Sequence, residues 1–292
     1  MIFILKGSIV ALITPFDKEG KVNFEKLEEL IEFQYINETK NLLILGTTSE
    51  SPTLLESEKD KLVKFIVKKN RKRMKLVVGV TSNNTKEAIK KALKYESYGA
   101  DYLLVISPFY NKTNEVGLIK HFNAIADVVK IPIIIYNIPS RTGINIDVSI
   151  MKELKKHSKI IGVKEANRDI SHILDVNAIC DENFNLYCGN DDLLVLFLNL
   201  KSPGAFTVYG NLDPQLLNAF YNTEDTNTLH NKYYQLLKTI FIETNPIPIK
   251  ALMNYAGMDV GSYRLPLTNM KPENYQQLIY EYEKVNITKE AD

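Results

Sequence analysis

The chain of 292 residues contains no tryptophan, two cysteines and four histidines. Two cysteines, Cys180 and Cys188, cannot make a disulfide framework, and no C-x-x-C pair with histidine partners suggests structural zinc. The histidines His121, His157, His172 and His230 are scattered, with no H-x-x-x-H or H-E pair, so no catalytic metal is expected. An excess of one charge is missing too. Lys plus Arg number 36 and Asp plus Glu 35, a net charge of +1, so no whole-protein field recruits nucleic acid or an anionic membrane. Any anionic ligand must therefore be held locally. No apolar run is long enough to span a bilayer. The segment Met1 to Phe16 is apolar, but it lacks a basic n-region and a small-residue cleavage site, and Lys6, Gly7 and Pro15 interrupt it. It reads as a buried strand rather than a signal peptide, and the cysteine usage fits a reducing cytoplasm.

What the chain does have is core-forming material. With 45% hydrophobic and 24% charged residues, it matches an ordinary globular protein, and a chain of this length buries about 75% of its unfolded surface. Short β-branched runs alternate with stretches of helical periodicity, the pattern of βα units around a parallel sheet. The runs are Ser8 to Thr14, Asn41 to Leu45, Lys75 to Val80, Asp101 to Ile106, Ile133 to Tyr136, Ile160 to Lys164, Asn185 to Cys188 and Ala205 to Val208. Eight such units predict a closed (β/α)8 TIM barrel, an α/β fold, because open doubly wound sheets more often stop at five or six strands. Helices are expected over Asn23 to Asn37, Glu56 to Lys69, Asp147 to His157 and Ser171 to Asp181. Beyond Pro214 the strand signal disappears. Helices are expected there over Pro214 to Tyr221, His230 to Ile242, Ile249 to Tyr255 and Pro272 to Val285. We therefore expect a catalytic barrel over 1–224 and a helical region over 225–292 packed against it, since no Gly/Ser-rich linker intervenes.

In a parallel barrel the functional groups gather at the carboxyl ends of the strands. Lys164 closes the apolar run Ile160-Ile161-Gly162-Val163, a position where a lysine is expected at the partly desolvated mouth of the barrel, suited to attack a carbonyl and form a Schiff base. Tyr136 closes the preceding strand and is placed to relay protons beside it. Gly46-Thr47-Thr48 offers backbone amides and two hydroxyls to a carboxylate, and Arg141, in a turn-forming loop, carries a guanidinium that can clamp one bidentately. Taken singly, each has a plainer explanation: a solvated lysine, a core tyrosine, a simple βα turn and a surface arginine. Together they suit an α-keto acid aldolase. The loops after the last two runs lack a glycine-rich phosphate pattern.

The motifs Gly7-Ser8-Ile9-Val10-Ala11 with Thr14-Pro15-Phe16, Gly46-Thr47-Thr48, Ser107-Pro108-Phe109-Tyr110-Asn111, Tyr136-Asn137-Ile138-Pro139-Ser140-Arg141-Thr142-Gly143, Gly162-Val163-Lys164-Glu165-Ala166 and Asn245-Pro246-Ile247-Pro248-Ile249-Lys250 run in order over nearly the whole chain. In them the chain resembles the pyruvate-dependent lyase and aldolase family, specifically its dihydrodipicolinate synthase branch. The resemblance implies a cytoplasmic enzyme that condenses pyruvate with L-aspartate 4-semialdehyde to 4-hydroxy-tetrahydrodipicolinate, in diaminopimelate and lysine biosynthesis. It implies a Schiff base between Lys164 and pyruvate, with no separate cofactor. It makes Thr47, Tyr136 and Tyr110 a proton relay, with Tyr110 supplied by a neighbouring subunit of a homodimer or a dimer-of-dimers homotetramer. Thr47 and Thr48 would hold the pyruvate carboxylate, Arg141 the carboxylate of the aldehyde, and Gly189 and Phe206 would line the lysine's surroundings.

Some positions depart from the family pattern. Ser49 stands in place of a glycine and is expected to restrict the backbone beside the cradle. Phe206 replaces a smaller aliphatic residue and is expected to narrow the pocket. Arg168 stands where glycine is common, and Cys188-Gly189-Asn190 replaces Ser-Gly-Asp. The alternatives left open are another pyruvate aldolase, acting on N-acetylneuraminate or a 2-keto-3-deoxy sugar acid, or a non-catalytic barrel acting as a sensor. Sialic-acid-cleaving relatives generally lack an arginine at the position of Arg141. At the site where feedback-inhibited relatives bind lysine, Asn83 and Glu87 match. Glu56 and Lys59 replace histidines there, and Phe109 replaces a tyrosine. The added cation at Lys59 predicts weak or absent feedback, so L-lysine at low millimolar concentration should leave more than half of the initial rate.

Overall fold

The computed structural model describes residues 4–287. Eight parallel strands close into a barrel in chain order, β1 pairing with both β2 and β8. They are β1 (Gly7–Ala11), β2 (Asn41–Ile44), β3 (Lys75–Val80), β4 (Tyr102–Ile106), β5 (Ile133–Asn137), β6 (Ile160–Glu165), β7 (Asn185–Cys188) and β8 (Gly204–Thr207). The helices between them are α1 (Phe24–Ile36), α2 (Glu56–Asn70), α3 (Thr85–Tyr98), α4 (Glu115–Ala126), the single turn α5 (Pro139–Thr142), α6 (Val148–Leu154), α7 (Ile170–Ala178) and α8 (Leu194–Asn199). After β8 come α9 (Pro214–Asn222), α10 (Thr226–Thr239), α11 (Ile247–Tyr255) and α12 (Pro272–Ile287). No helix among the described residues is long and apolar enough to cross a membrane.

Local chemistry sets the helix starts. Asn23, Asn84, Asn114, Asp169, Asp213 and Asp225 each accept a hydrogen bond from a backbone N–H in the first turn, satisfying donors the helix cannot. The expected helix Asn23 to Asn37 thus includes its two caps. The helix expected from His230 begins earlier, at Thr226, because Asp225 caps it. The first apolar run leaves the sheet at Ala11 rather than Thr14: the Ile13 amide turns to Asn211 Oδ1 (3.0 Å). Of the apolar segment starting at Met1, the first three residues lie outside the described residues.

Period-two alternation divides the apolar residues into two concentric cores. Outward residues such as Val10, Ile44, Val78, Leu103, Ile135 and Val163 meet the helices. Inward residues, among them Ile9, Leu43, Val77, Leu104, Ile134, Tyr136, Ile161, Tyr187 and Phe206, fill the lumen. At the amino-terminal end the Leu5 amide donates to Tyr187 Oη (3.2 Å), and both residues are buried.

One irregularity serves the site. Between β5 and β6 the register shifts, so that Ile133 pairs with Ile160 but Ile134 with Gly162. The extra residue lets Ile161 and Lys164, three apart, both face inward. Tyr136 then lies directly opposite Lys164. The shift needs glycine at 162, since a Cβ there would stand 2.2 Å from the Asn185 carbonyl oxygen, a backbone atom that cannot step aside. Gly162→Ala should therefore destabilise the fold by about 1–3 kcal/mol through overpacking, measured as a lowered urea midpoint with unchanged slope.

Candidate active site

At the carboxyl ends of the strands a cavity of about 410 Å³ opens, lined by Thr47, Thr48, Tyr136, Arg141, Lys164, Gly189 and Phe206 together. Strand alternation delivers its central group. Lys164 is inward and only 6% exposed, while its neighbour Glu165 points the other way and is fully buried. The Lys164 Nζ faces the Tyr136 ring at 4.1 Å and the Phe206 ring at 5.0 Å from the centroids. Phe206 in turn packs edge-on against Tyr187 at 6.0 Å. It is thus an aromatic wall beside the amine, part of the cavity lining rather than a plug.

The loop after β2 folds into a 3-10 turn over Thr47–Ser49. Its first amides have no partner within the turn and are free for an acceptor. The expected restriction at Ser49 is not realised. Ser49 keeps an ordinary right-handed conformation, and the left-handed position falls one residue later, at Glu50 (φ 53°). The serine instead adds an anchor, its Oγ donating to the Leu12 carbonyl (2.7 Å) while its own carbonyl accepts from Thr14 Oγ1 (2.7 Å).

Arg141 lies on α5, which ends at Gly143 in the left-handed region (φ 67°). Its guanidinium donates to the Asn245 carbonyl at 3.2 Å, and Asn245 Nδ2 donates to Thr48 Oγ1 at 2.9 Å. One asparagine from the C-terminal region therefore ties the Thr47–Ser49 turn to Arg141. Phe241, Glu243, Thr244 and Asn245 line the cavity, so residues beyond 224 help build it. Sequence reasoning singled out the Asn245 motif without assigning it a role and missed Phe241 and Glu243, whose distance along the chain leaves no local signal.

The wall formed by β6 and β7 holds the other departures. Gly189 is required by space, since a Cβ would come 2.6 Å from the Glu165 carbonyl oxygen. Asn190 Nδ2 and Asn245 Oδ1 are buried without a hydrogen-bond partner, and both residues line the cavity. Arg168 also lines it but is held bidentately by Asp192 (2.7 and 3.0 Å). Beside it, Asp191 accepts from Thr207 Oγ1 (2.7 Å) and from the Val208 and Tyr209 amides, anchoring the end of β8, and burial raises its carboxyl to about 6.

Tyr110 is not brought to the cavity of its own chain. It is 92% exposed, in a left-handed conformation (φ 67°), on the loop after β4. Its neighbour Phe109 lines a second cavity of about 180 Å³, which shares Thr47, Tyr136 and Arg141 with the first. Near α2, Lys59 is not a free cation. It pairs with Glu56 (2.8 Å), which also pairs with Lys91 (3.1 Å), while Lys94 pairs with Asp60 (2.6 Å). Among the described residues no cluster of His, Cys, Asp or Glu could hold a metal ion.

Behind the site, Glu165 accepts from Asn137 Nδ2 (3.0 Å to each oxygen) and from the Asn167 amide (2.8 Å), and it lies 3.3 Å from His172. Glu165 raises the His172 pKa, chiefly by that hydrogen bond, against the opposing effect of burial. His121 is shifted the other way, to about 4, by burial alone.

Comparison with known proteins adds four findings. Residues 4–284 match the model of the dihydrodipicolinate synthetase family. A 4-hydroxy-tetrahydrodipicolinate synthase from Clostridium novyi is 41% identical over 98% of each chain. Among solved structures, a dihydrodipicolinate synthase from Aquifex aeolicus superposes with a TM-score of 0.93 at 39% identity, covering 97% of this chain and 98% of that one. The chloride-inhibited dihydrodipicolinate synthase from Acinetobacter baumannii, crystallised with pyruvate, does so with a TM-score of 0.93 at 31% identity, covering 97% and 100%.

The opposite shifts of the two histidines are checkable. In an NMR titration, His172 should titrate above 6.5 and His121 should stay neutral down to about pH 5. Because the folded value of His172 is raised, its pairing stabilises the fold fully below pH 6.5 and loses that contribution as pH rises through the raised value. His172→Gln should remove that loss from the stability profile.

Proposed function

Because the chain belongs to the dihydrodipicolinate synthetase family, we propose that it catalyses the 4-hydroxy-tetrahydrodipicolinate synthase reaction, joining pyruvate to L-aspartate 4-semialdehyde. The observation that carries this reading is the single cavity in which the buried Lys164 amine meets Tyr136, the Thr47–Ser49 turn and Arg141. The Acinetobacter baumannii relative, crystallised with pyruvate, supports the choice of keto acid.

Lys164 Nζ attacks the pyruvate carbonyl, and the carbinolamine loses water to give a Schiff base. The protonated imine draws electrons from the methyl group, which gives up a proton and becomes the enamine nucleophile. No separate cofactor is needed, because the imine is the electron sink. The enamine carbon then bonds to the aldehyde carbon of the second substrate, whose oxygen takes a proton. The acceptor's own amine finally displaces Lys164, closing the ring and freeing the enzyme.

In this scheme Thr47 and Thr48 hold the pyruvate carboxylate with hydroxyls and turn amides, and Arg141 holds the carboxylate of the aldehyde. Tyr136 and Thr47 move the protons, and Tyr110 of a second subunit completes the relay through the smaller cavity. Its exposure in the single chain supports a homodimer or homotetramer. Gly189 and Phe206 shape the wall around the imine. Within the described residues, the part up to 224 serves as the catalytic barrel and the part from 225 as the helical region that completes its rim. The enzyme works in the cytoplasm, within diaminopimelate and lysine biosynthesis.

Incubation with pyruvate followed by borohydride should add a reduced pyruvate adduct, seen by mass spectrometry and abolished in Lys164→Ala. Absence of the adduct on the unsubstituted protein would overturn the proposal. Turnover with aspartate semialdehyde, and none with N-acetylneuraminate or a 2-keto-3-deoxy sugar acid, identifies the acceptor.

A further inference from the structure

The turn that carries Thr47 and Thr48 does not hold itself in place. It ends at Glu50, which is in a left-handed conformation that residues other than glycine keep only when their surroundings impose it. Ser49 is anchored to Leu12 and Thr14, but the side chain of Glu50 is held from about 200 residues away in sequence. The side chains of Glu50 and Lys250 are both 0% exposed and meet at 2.8 Å. Lys250 Nζ also donates to the carbonyls of Thr14 (3.2 Å) and Ser262, and it stacks over the Phe16 ring at 4.5 Å. Its three hydrogens are therefore all committed. The second Glu50 oxygen accepts from the Arg264 amide (3.2 Å).

The same short segment reaches the cavity directly. Five residues before Lys250, Asn245 donates to Thr48 Oγ1 and accepts from Arg141. The segment that buries an ammonium against Glu50 thus also sets the hydroxyl of Thr48. Neither Glu50 nor Lys250 lines the cavity.

We propose that Glu50 and Lys250 are positioning residues, a buried ion pair that fixes the turn at Thr47 and Thr48 in the geometry that receives the carboxylate of the keto acid. The proposal rests on the pyruvate reading of the site. It assigns the pair an effect on pyruvate binding beyond any contribution to folding, because a turn displaced by a fraction of an ångström presents its amides and hydroxyls out of line.

The test uses the full chain with Glu50→Gln and Lys250→Met combined, which removes both charges, keeps an unbranched side chain one atom shorter at 250 and leaves no unpaired buried ion. Glu50→Gln alone is the second variant, closer still in shape. For each, the fraction of Lys164 trapped by borohydride is measured against pyruvate concentration, beside a thermal melt. The expected result is a half-saturating pyruvate concentration raised about tenfold in the double variant, with the same trapped fraction as the unsubstituted protein at saturation, and a shift in the same direction for Glu50→Gln, which leaves Lys250 without its counter-charge. Half-saturation within about twofold of the unsubstituted protein in a folded variant, even with a lowered melting temperature, overturns the positioning role. Failure to trap an adduct on the unsubstituted protein overturns the pyruvate reading instead, so the two failures are distinguishable.

Discussion

Everything at this site depends on the separation of two neighbouring charges by the pleat of one strand. Lys164 and Glu165 are adjacent in sequence, yet one faces the lumen and the other the helices. On its own side the amine meets aromatic ring faces, which attract a cation without accepting its proton. On the other side the carboxylate is satisfied by Asn137, Asn167 and His172. A slip of one residue would exchange the two. The bulge at Gly162 sets the phase in which the amine is inside, and the close approach to Asn185 admits no larger residue there.

The barrel was legible because its signals are local. Eight β-branched runs mark the strands, and capping Asn or Asp side chains mark half of the helix starts. The strand-end residues Thr47, Tyr136 and Lys164 followed from the rule that barrel chemistry gathers where strands end. What stayed hidden is what forms by long-range closure. Nothing near Glu50 announces Lys250, nothing near Thr48 announces Asn245, and Asp191 becomes the anchor of β8 only when two βα units meet. Tyr110 was identified by its motif, but its exposure belongs to surface geometry that no periodicity encodes. The outcome at Ser49 has a related cause. Which residue of a turn takes the left-handed conformation depends on its neighbours, and here it is Glu50.

The electrostatic character of the cavity follows from how its cations are spent. Lys164, Arg141 and Arg168 all reach it, with Glu243 as the acidic side chain in its lining. Arg168 is committed to Asp192, while Arg141 donates to the Asn245 carbonyl and, among the described residues, keeps most of its donors free. A nearly neutral chain thus gathers three basic side chains at one cavity by placement rather than by net charge.

The buried contact between Leu5 and Tyr187 seals the far end of the lumen. With that end closed, the cavity opens at the carboxyl ends of the strands, so whatever reaches Lys164 arrives from the side where the strand-end loops and the segment around Asn245 lie. The two ends of one barrel thus divide their labour, one given to packing and the other to traffic.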